Sequence, residues 1–390
     1  MLLDIVVAGA LAAPVLNGID VLIRDDFKPL QGKRVGLITN HTGRDLAGRS
    51  TVDILAEAPS VNLVALFAPE HGIRGDKDER IADGKDEKTG LPVFSLYNPG
   101  SGAQRYRPTA EQLKGVEALV FDIQDVGARF YTYIGTMGYA MEEAAKHGIE
   151  VIVLDRPNPI TGTRVEGPVS VPAHRGLTAY HELPTRHGMT VGELAGLFNT
   201  ERKIGCKLTV VKMEGWRREM WFEETGQVWI NPSPNMRSPI QALLYPGMCL
   251  VEATNVSVGR GTDTPFEWIG APWMDGVGIA AAMNAKNLPG IRFYSRAMTP
   301  VSSKHANALC PGVAFIVTDR EAFDSVRAGV ELSYEINKRH PEWDETKLVN
   351  LMHNPAAVEA TLSGGSAAAS AGWADDLQAF LRVRQRYLLY

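Results

Sequence analysis

Over the first half of the chain, apolar and polar positions come in blocks. Short, mostly apolar, β-branched runs at Arg34–Thr39, Asn62–Phe67, Ala118–Asp122 and Glu150–Leu154 have the length and make-up of strands buried on both faces. Between them, Ser50–Ala58, Thr109–Leu113 and Met137–His147 read as helices. Thr109 with Gln112, and Thr190 with Glu193, have the spacing at which two side chains cap a helix start reciprocally. Strands alternating with helices predict a parallel sheet covered on both faces. No repeat of solenoid length is present, and no glycine fingerprint of a dinucleotide site follows the first strand.

After about Gly226 the texture changes. Asn231-Pro232-Ser233-Pro234-Asn235 is too rich in proline for a helix or a central strand. It divides the chain into a catalytic domain over 18–228 and a smaller auxiliary domain over 232–390. In the second, Val313–Thr318 reads as a buried strand and Arg320–Arg339 as a helix. Ser363–Ser366 reads as a loop before a last helix from Trp373 to Arg386. The expected class is α/β with a mostly parallel sheet, followed by a smaller α+β C-terminal domain.

Composition narrows the function. A chain of 390 residues favours two domains, and 45% hydrophobic with 22% charged residues is the balance of a globular protein with a real core. A net charge of -5 argues against nucleic acid as a main partner. Cys206, Cys249 and Cys310 are widely spaced, so buried free thiols are expected rather than disulfides or a metal site. The apolar start, Leu2–Leu16, is too short for a membrane span, and no later run is long enough. It lacks the basic leader of a clean signal peptide, so residues before about Asn17 read as an extension.

The polar clusters sit where chemistry is expected. Thr39–Gly43 follows the first strand and Ala68–Gly72 the second; Asp122–Asp125 and Asp155–Pro159 follow the next two. In an open parallel sheet the ligand crevice lies beyond the carboxyl ends of the strands. Asn40, Glu70, His71, Asp122, Asp125, Arg156 and Asn158 would therefore share one edge. Glu70, half-buried beside Pro69, suits a general acid, because burial disfavours its charged form. It could instead cap its turn or pair with Arg74. Asp122 and Asp125 offer the second carboxylate that most glycosidases require; alternatively Asp122 caps a turn and Asp125 pairs with Arg129. Arg129, Arg156 and Arg260 are candidates to bind a substrate carboxylate. Tyr131 and Tyr133 could stack on a sugar, whereas Phe130 is expected in the core. Neither a zinc-binding His-Glu-x-x-His nor a serine-hydrolase elbow is present.

Phe67–Gly72, Asp122–Tyr133, Leu154–Pro159, Arg186–Thr190, Pro232–Asn235, Gly259–Phe266 and Tyr387–Tyr390 together resemble the exo-β-N-acetylmuramidases, the NamZ-type peptidoglycan hexosaminidases once filed as a domain of unknown function. The resemblance spans nearly the whole chain from about Gly18. It implies a Rossmann-like catalytic domain, a crevice at the junction with the auxiliary domain, and no metal or other cofactor. It also implies release of terminal N-acetylmuramic acid from the non-reducing ends of peptidoglycan disaccharides and glycan chains, and hence export from the cytoplasm. Glu70 falls where the family's proposed catalytic glutamate lies. The lactyl carboxylate of muramic acid would then be read by an arginine, Arg129 first. The alternatives are a metal-dependent or other hydrolase of acidic amino sugars on this scaffold, or a non-catalytic muropeptide binder.

Overall fold

In the computed structural model, which describes residues 13–73, 83–97 and 105–390, the apolar runs become the middle of one sheet. Strands β1 (Arg34–Thr39), β2 (Asn62–Ala68), β3 (Gly84–Lys85), β4 (Pro92–Ser95), β5 (Ala118–Asp122) and β6 (Glu150–Leu154) come first. A two-stranded ribbon, β7 (Glu166–Val169) with β8 (Pro184–Arg186), precedes β9 (Leu208–Val211). The main sheet has the order β3-β4-β2-β1-β5-β6-β9, parallel throughout except between β3 and β4.

Helices α1 (Gly18–Arg24) and α2 (Thr51–Glu57) cover one face; α3 (Thr132–Lys146) and α4 (Val191–Glu201) cover the other. Side chains alternate between the faces of a strand. Val35 and Leu37 accordingly join Leu22 and Leu55 in one core, while Ile38 joins Met141 and Leu194 in the other. Each such burial contributes roughly 1.5–3 kcal/mol. The chain passes from β1 to β2 on one side and later crosses to β5 on the other. The switch point therefore lies between the carboxyl ends of β1 and β5.

The second unit comprises α5 (Pro239–Met248), β10 (Trp268–Gly270), α6 (Gly276–Ala285), β11 (Ile291–Ser295), β12 (Gly312–Val317), α7 (Ser325–Arg339), α8 (Val349–Met352) and α9 (Pro355–Arg384). Its three strands form an antiparallel sheet in the order β10-β12-β11. One apolar cluster runs unbroken from α3 and α4 through Phe130, Tyr245 and Phe266 into α7 and α9. Tyr390 reaches back to the first unit and donates to Asp155 Oδ2 at 2.7 Å. Among the described residues no helix is long and apolar enough to cross a membrane.

Several local expectations need correction. Thr109 and Gln112 do exchange capping bonds, at 2.9 and 3.2 Å. Only a turn follows, because five residues make too few hydrogen bonds to offset the cost of nucleating a helix. α3 begins at Thr132 rather than Met137. α7 begins at Ser325, where Asp324 accepts from Arg327 N–H at 2.8 Å. The last helix begins at Pro355, capped by Asn354, and the expected loop shrinks to one break at Gly365 (φ 63°, ψ -149°). That backbone region is open essentially to glycine alone. The start of the chain up to Ala12 lies outside the described residues. Val15, however, is fully buried against Met213, Trp216 and Met220, and Leu16 pairs with Glu214. The segment just before Asn17 thus belongs to the fold. All three cysteines are buried free thiols.

Candidate active site

Glu70 stands at the carboxyl end of β2. Gly72 N–H donates to the Pro69 carbonyl at 3.0 Å, and His71 is held at φ 69°, an uncommon conformation for a residue with a side chain. The Glu70 carboxylate is half-buried, and its Oε2 accepts from Thr132 Oγ1, at the first residue of α3, at 2.6 Å. Tyr97, just beyond β4, lies close enough to feel the charge of Glu70. Burial first, and then the charge of this carboxylate, push the Tyr97 phenol above its ordinary pKa.

The loops after β1 and β5 face each other across the switch point. Asn40 Oδ1 accepts from the Thr42 N–H (2.9 Å) and hydroxyl (2.6 Å), while its Nδ2 is buried without an acceptor in good geometry. Asp125 Oδ2 accepts from Gly127 N–H at 2.7 Å, and Oδ1 is buried with no partner. Gly127 sits at φ +81°, and a Cβ there would lie 2.6 Å from Asn158 Oδ1, so the turn requires glycine. His187, fully buried, accepts Met189 N–H on Nδ1 at 3.2 Å. The neutral ring compatible with that bond carries its proton on Nε2, 3.5 Å from Asp125 Oδ2.

Tyr131 feels the charge of both carboxylates. Burial raises its pKa, and the charges of Asp125 and Glu70 raise it further. Tyr133 donates to the Pro232 carbonyl at 2.5 Å, and the His41 ring meets the Asn231 carbonyl at 2.6 Å. The irregular stretch between the two units therefore roofs the crevice. An edge-to-face chain continues from Tyr133 through Tyr131 and Tyr245 to Phe266, with ring centroids 5.0, 5.8 and 4.7 Å apart. Asn40, Glu70, His71, Asp125, Tyr131 and Tyr133 are thus gathered at one edge, but Tyr133 is 1% exposed with its ring against Tyr131 and its hydroxyl on Pro232, so it does not offer the sugar-stacking face expected of it.

Other expected residues are placed differently. Asp122 is fully buried; Arg156 donates to it from Nε at 2.5 Å and Nη2 at 3.0 Å, and Thr51 Oγ1 at 2.5 Å. Both its oxygens are occupied, which is the geometry of a closed ion pair. Asp125 does not pair with Arg129. Arg129 is 1% exposed and donates to the carbonyls of Leu351 (3.2 Å) and Met352 (3.0 Å) in α8. Burial lowers its pKa to about 9, and its Nε and Nη1 find no partner. Sealed there, it cannot reach a sugar. Asn158 accepts from Ile160 N–H at 3.1 Å and donates to the Met189 carbonyl at 3.0 Å, holding its own turn. Arg260 pairs with Glu252 and lies over Phe266. Arg74 lies outside the described residues.

Sequence reasoning passed over Thr132, Tyr97 and His187. Tyr97 obeys the same rule as the others, directly following a parallel strand, but β4 opens on a proline and was not recognised. Among the described residues no three His, Cys, Asp or Glu side chains converge as a metal site would require.

Residues 35–240 match the N-terminal domain of exo-β-N-acetylmuramidase NamZ, and residues 243–390 match its C-terminal domain. The chain is 44% identical over 395 residues to the peptidoglycan β-N-acetylmuramidase NamZ of Bacillus subtilis (strain 168), covering 96% of this chain and 91% of that one. Two crystal structures of DUF1343 family proteins from Bacteroides fragilis NCTC 9343 share the fold. BF0371 superposes with a TM-score of 0.89 at 38% identity, and BF0379 with 0.77 at 31%; each alignment covers 97% of this chain and 99% of the other.

Proposed function

This chain belongs to the NamZ family of exo-β-N-acetylmuramidases, and on that footing we propose that Glu70 is the acid of its reaction. The protein is a glycoside hydrolase that releases terminal N-acetylmuramic acid from the non-reducing end of peptidoglycan fragments. Such sugars carry a 2-acetamido group beside the anomeric carbon. That group can replace the protein nucleophile, a recognised departure from the two-carboxylate scheme.

Thr132 fixes one oxygen of Glu70, and the other meets the glycosidic oxygen. The acetamide carbonyl attacks the anomeric carbon as Glu70 protonates the departing oxygen, giving a cyclic oxazolinium and a Glu70 carboxylate. Asp125 accepts the acetamide N–H on Oδ1 and stabilises the positive charge that develops. Glu70 then takes a proton from water as that water opens the ring. The product keeps its β configuration and the acid is restored. Holding an intramolecular nucleophile in place is worth a large effective molarity, so the protein supplies position rather than a covalent partner.

The observation that carries this reading is the buried, unpartnered Asp125 Oδ1, in a site where Tyr131 senses both Asp125 and Glu70. Glu70→Gln should lower turnover of a natural disaccharide by roughly 10²–10⁴-fold with the fold intact. Proton NMR of the first-formed anomer tests the rest: β product is expected, and α product would replace the acetamide with directly attacking water.

A further inference from the structure

Beside the crevice lies a cavity of about 100 Å³, walled by Thr42, Arg44, Gln124 and Arg156 and rimmed by Val228 and Ile230. We propose that this cavity receives the lactyl group of N-acetylmuramic acid, and that Arg44 is the residue that selects the acidic sugar. The assignment rests on the reading of Glu70 and Asp125 as the reacting edge.

Position comes first. Thr42 and Gln124 belong to the same two loops as Asn40 and Asp125, and the Gln124 N–H donates to Thr42 Oγ1 at 3.0 Å. The rim residues run directly into the Asn231–Ser233 stretch that roofs Tyr131 and Tyr133. The cavity is thus next door to the site, under the same roof. At about 100 Å³ it has room for a carboxylate with a methyl group.

Charge comes second. Of the charged side chains lining the cavity, Arg156 is neutralised by Asp122, and Asp45 is occupied by Arg49 at 2.7 Å. Arg44 pairs with no carboxylate among the described residues. Its Nε donates to the His41 carbonyl at 3.0 Å and its Nη1 to the Gly48 carbonyl at 2.7 Å. Two fixed bonds orient the guanidinium before any ligand arrives, so little freedom is lost when it grips one. The remaining arginines expected to bind a carboxylate are spoken for: Arg129 is sealed against α8, and Arg260 pairs with Glu252. The exposed Val228 and neighbouring Ile230 offer the lactyl methyl an apolar contact.

The test compares three chromogenic β-glycosides on the full chain: the N-acetylmuraminide, its methyl ester, and the N-acetylglucosaminide. Wild type should favour the free acid over the ester. In Arg44→Gln, which keeps a donor for the loop carbonyls, the acid-over-ester ratio in kcat/KM should fall about 10- to 100-fold. Arg44→Lys, which keeps the charge but not the fork, should restore part of it. An unchanged ratio in Arg44→Gln, equal losses on all three substrates, or a wild-type enzyme indifferent to the ester would each overturn the assignment. Failure of the underlying reading looks different: Glu70→Gln would then hydrolyse a natural disaccharide, whose leaving group needs protonation, at the wild-type rate.

Discussion

Asp122 and Asp125 lie three residues apart, yet the structure gives them different partners, and Asp→Asn at each position should separate the structural and the proposed catalytic role. Asp122 has no exposed surface, and its partner Arg156 exposes only 4% of its side chain. Asp122→Asn removes the counter-charge and leaves a buried guanidinium with only a neutral amide oxygen and the Arg44 carbonyl, at 2.9 Å, as acceptors. Losing one partner of a buried ion pair costs about 3–5 kcal/mol, and disturbing the Thr51 hydrogen bond adds about 1 kcal/mol. The substitution is nearly isosteric, so no cavity contributes. Against a stability of roughly 5–15 kcal/mol, this is a large fraction. With a urea slope on the order of 3 kcal/mol/M, the unfolding midpoint should drop by more than about 1 M. Asp125→Asn can keep the Gly127 N–H bond through its amide oxygen and should move the midpoint far less, while turnover falls by roughly 10²-fold or more. Urea titrations followed by fluorescence, with kcat measured on protein shown to be folded, give both quantities. A folded Asp122→Asn enzyme with a normal midpoint and no turnover would refute the reasoning and make Asp122 the reagent.

Arg129→Ala should lower the urea midpoint and reduce muraminide and glucosaminide turnover by the same factor; selective loss of the muraminide would return Arg129 to the substrate. Asp155, fully buried, has its pKa raised by burial from 3.8 to about 6, despite hydrogen bonds from Gly192, Thr190 and Tyr390 that favour the anion. A raised carboxyl pKa means stability that is complete below about pH 4 and lost as pH rises through 6. Midpoints of Asp155→Asn minus wild type should therefore rise between pH 4 and 7, and a flat difference would contradict the assignment.

The strands and their order of chemistry could be read from the chain because they depend on local pattern. β1, β5 and β6 have the expected bounds, since an apolar β-branched run between breakers has few other fates. The rule that ligand groups follow parallel strands put Asn40, Glu70 and Asp125 at the carboxyl edge of the sheet, where they lie. What could not be read was which charges would find each other. Arg156 meets Asp122 from 34 residues away, and Arg129 meets Met352 from 223. An arginine in a sequence looks the same whether it ends beneath a helix or facing a sugar. Thr132 and Tyr133 looked like loop because β-branched and aromatic residues are modest helix formers. Their place at the start of α3 puts Thr132 on Glu70.

On the proposed reading, the stretch from Asp125 to Tyr133 ties the second unit to chemistry carried out in the first. It supplies Asp125, the tyrosine that feels both carboxylates, and the hydroxyl that fixes Glu70, all within one connection from β5 to α3. Inside the first unit it is held by the Gly127 turn, by Arg129 N–H donating to the Thr185 carbonyl at 2.9 Å, by the Ala128–Arg186 bridge and by Thr132 on Glu70. Residues beyond Asn231 hold it as well: Pro232 on Tyr133, Tyr245 against Phe130 and Tyr131, and the α8 carbonyls on Arg129. A reaction in which the substrate provides its own nucleophile asks the protein chiefly for alignment, and errors on the order of 1 Å cost about 10²-fold in rate. On the proposed mechanism, the second unit therefore acts on the reaction through the rigidity of this connection.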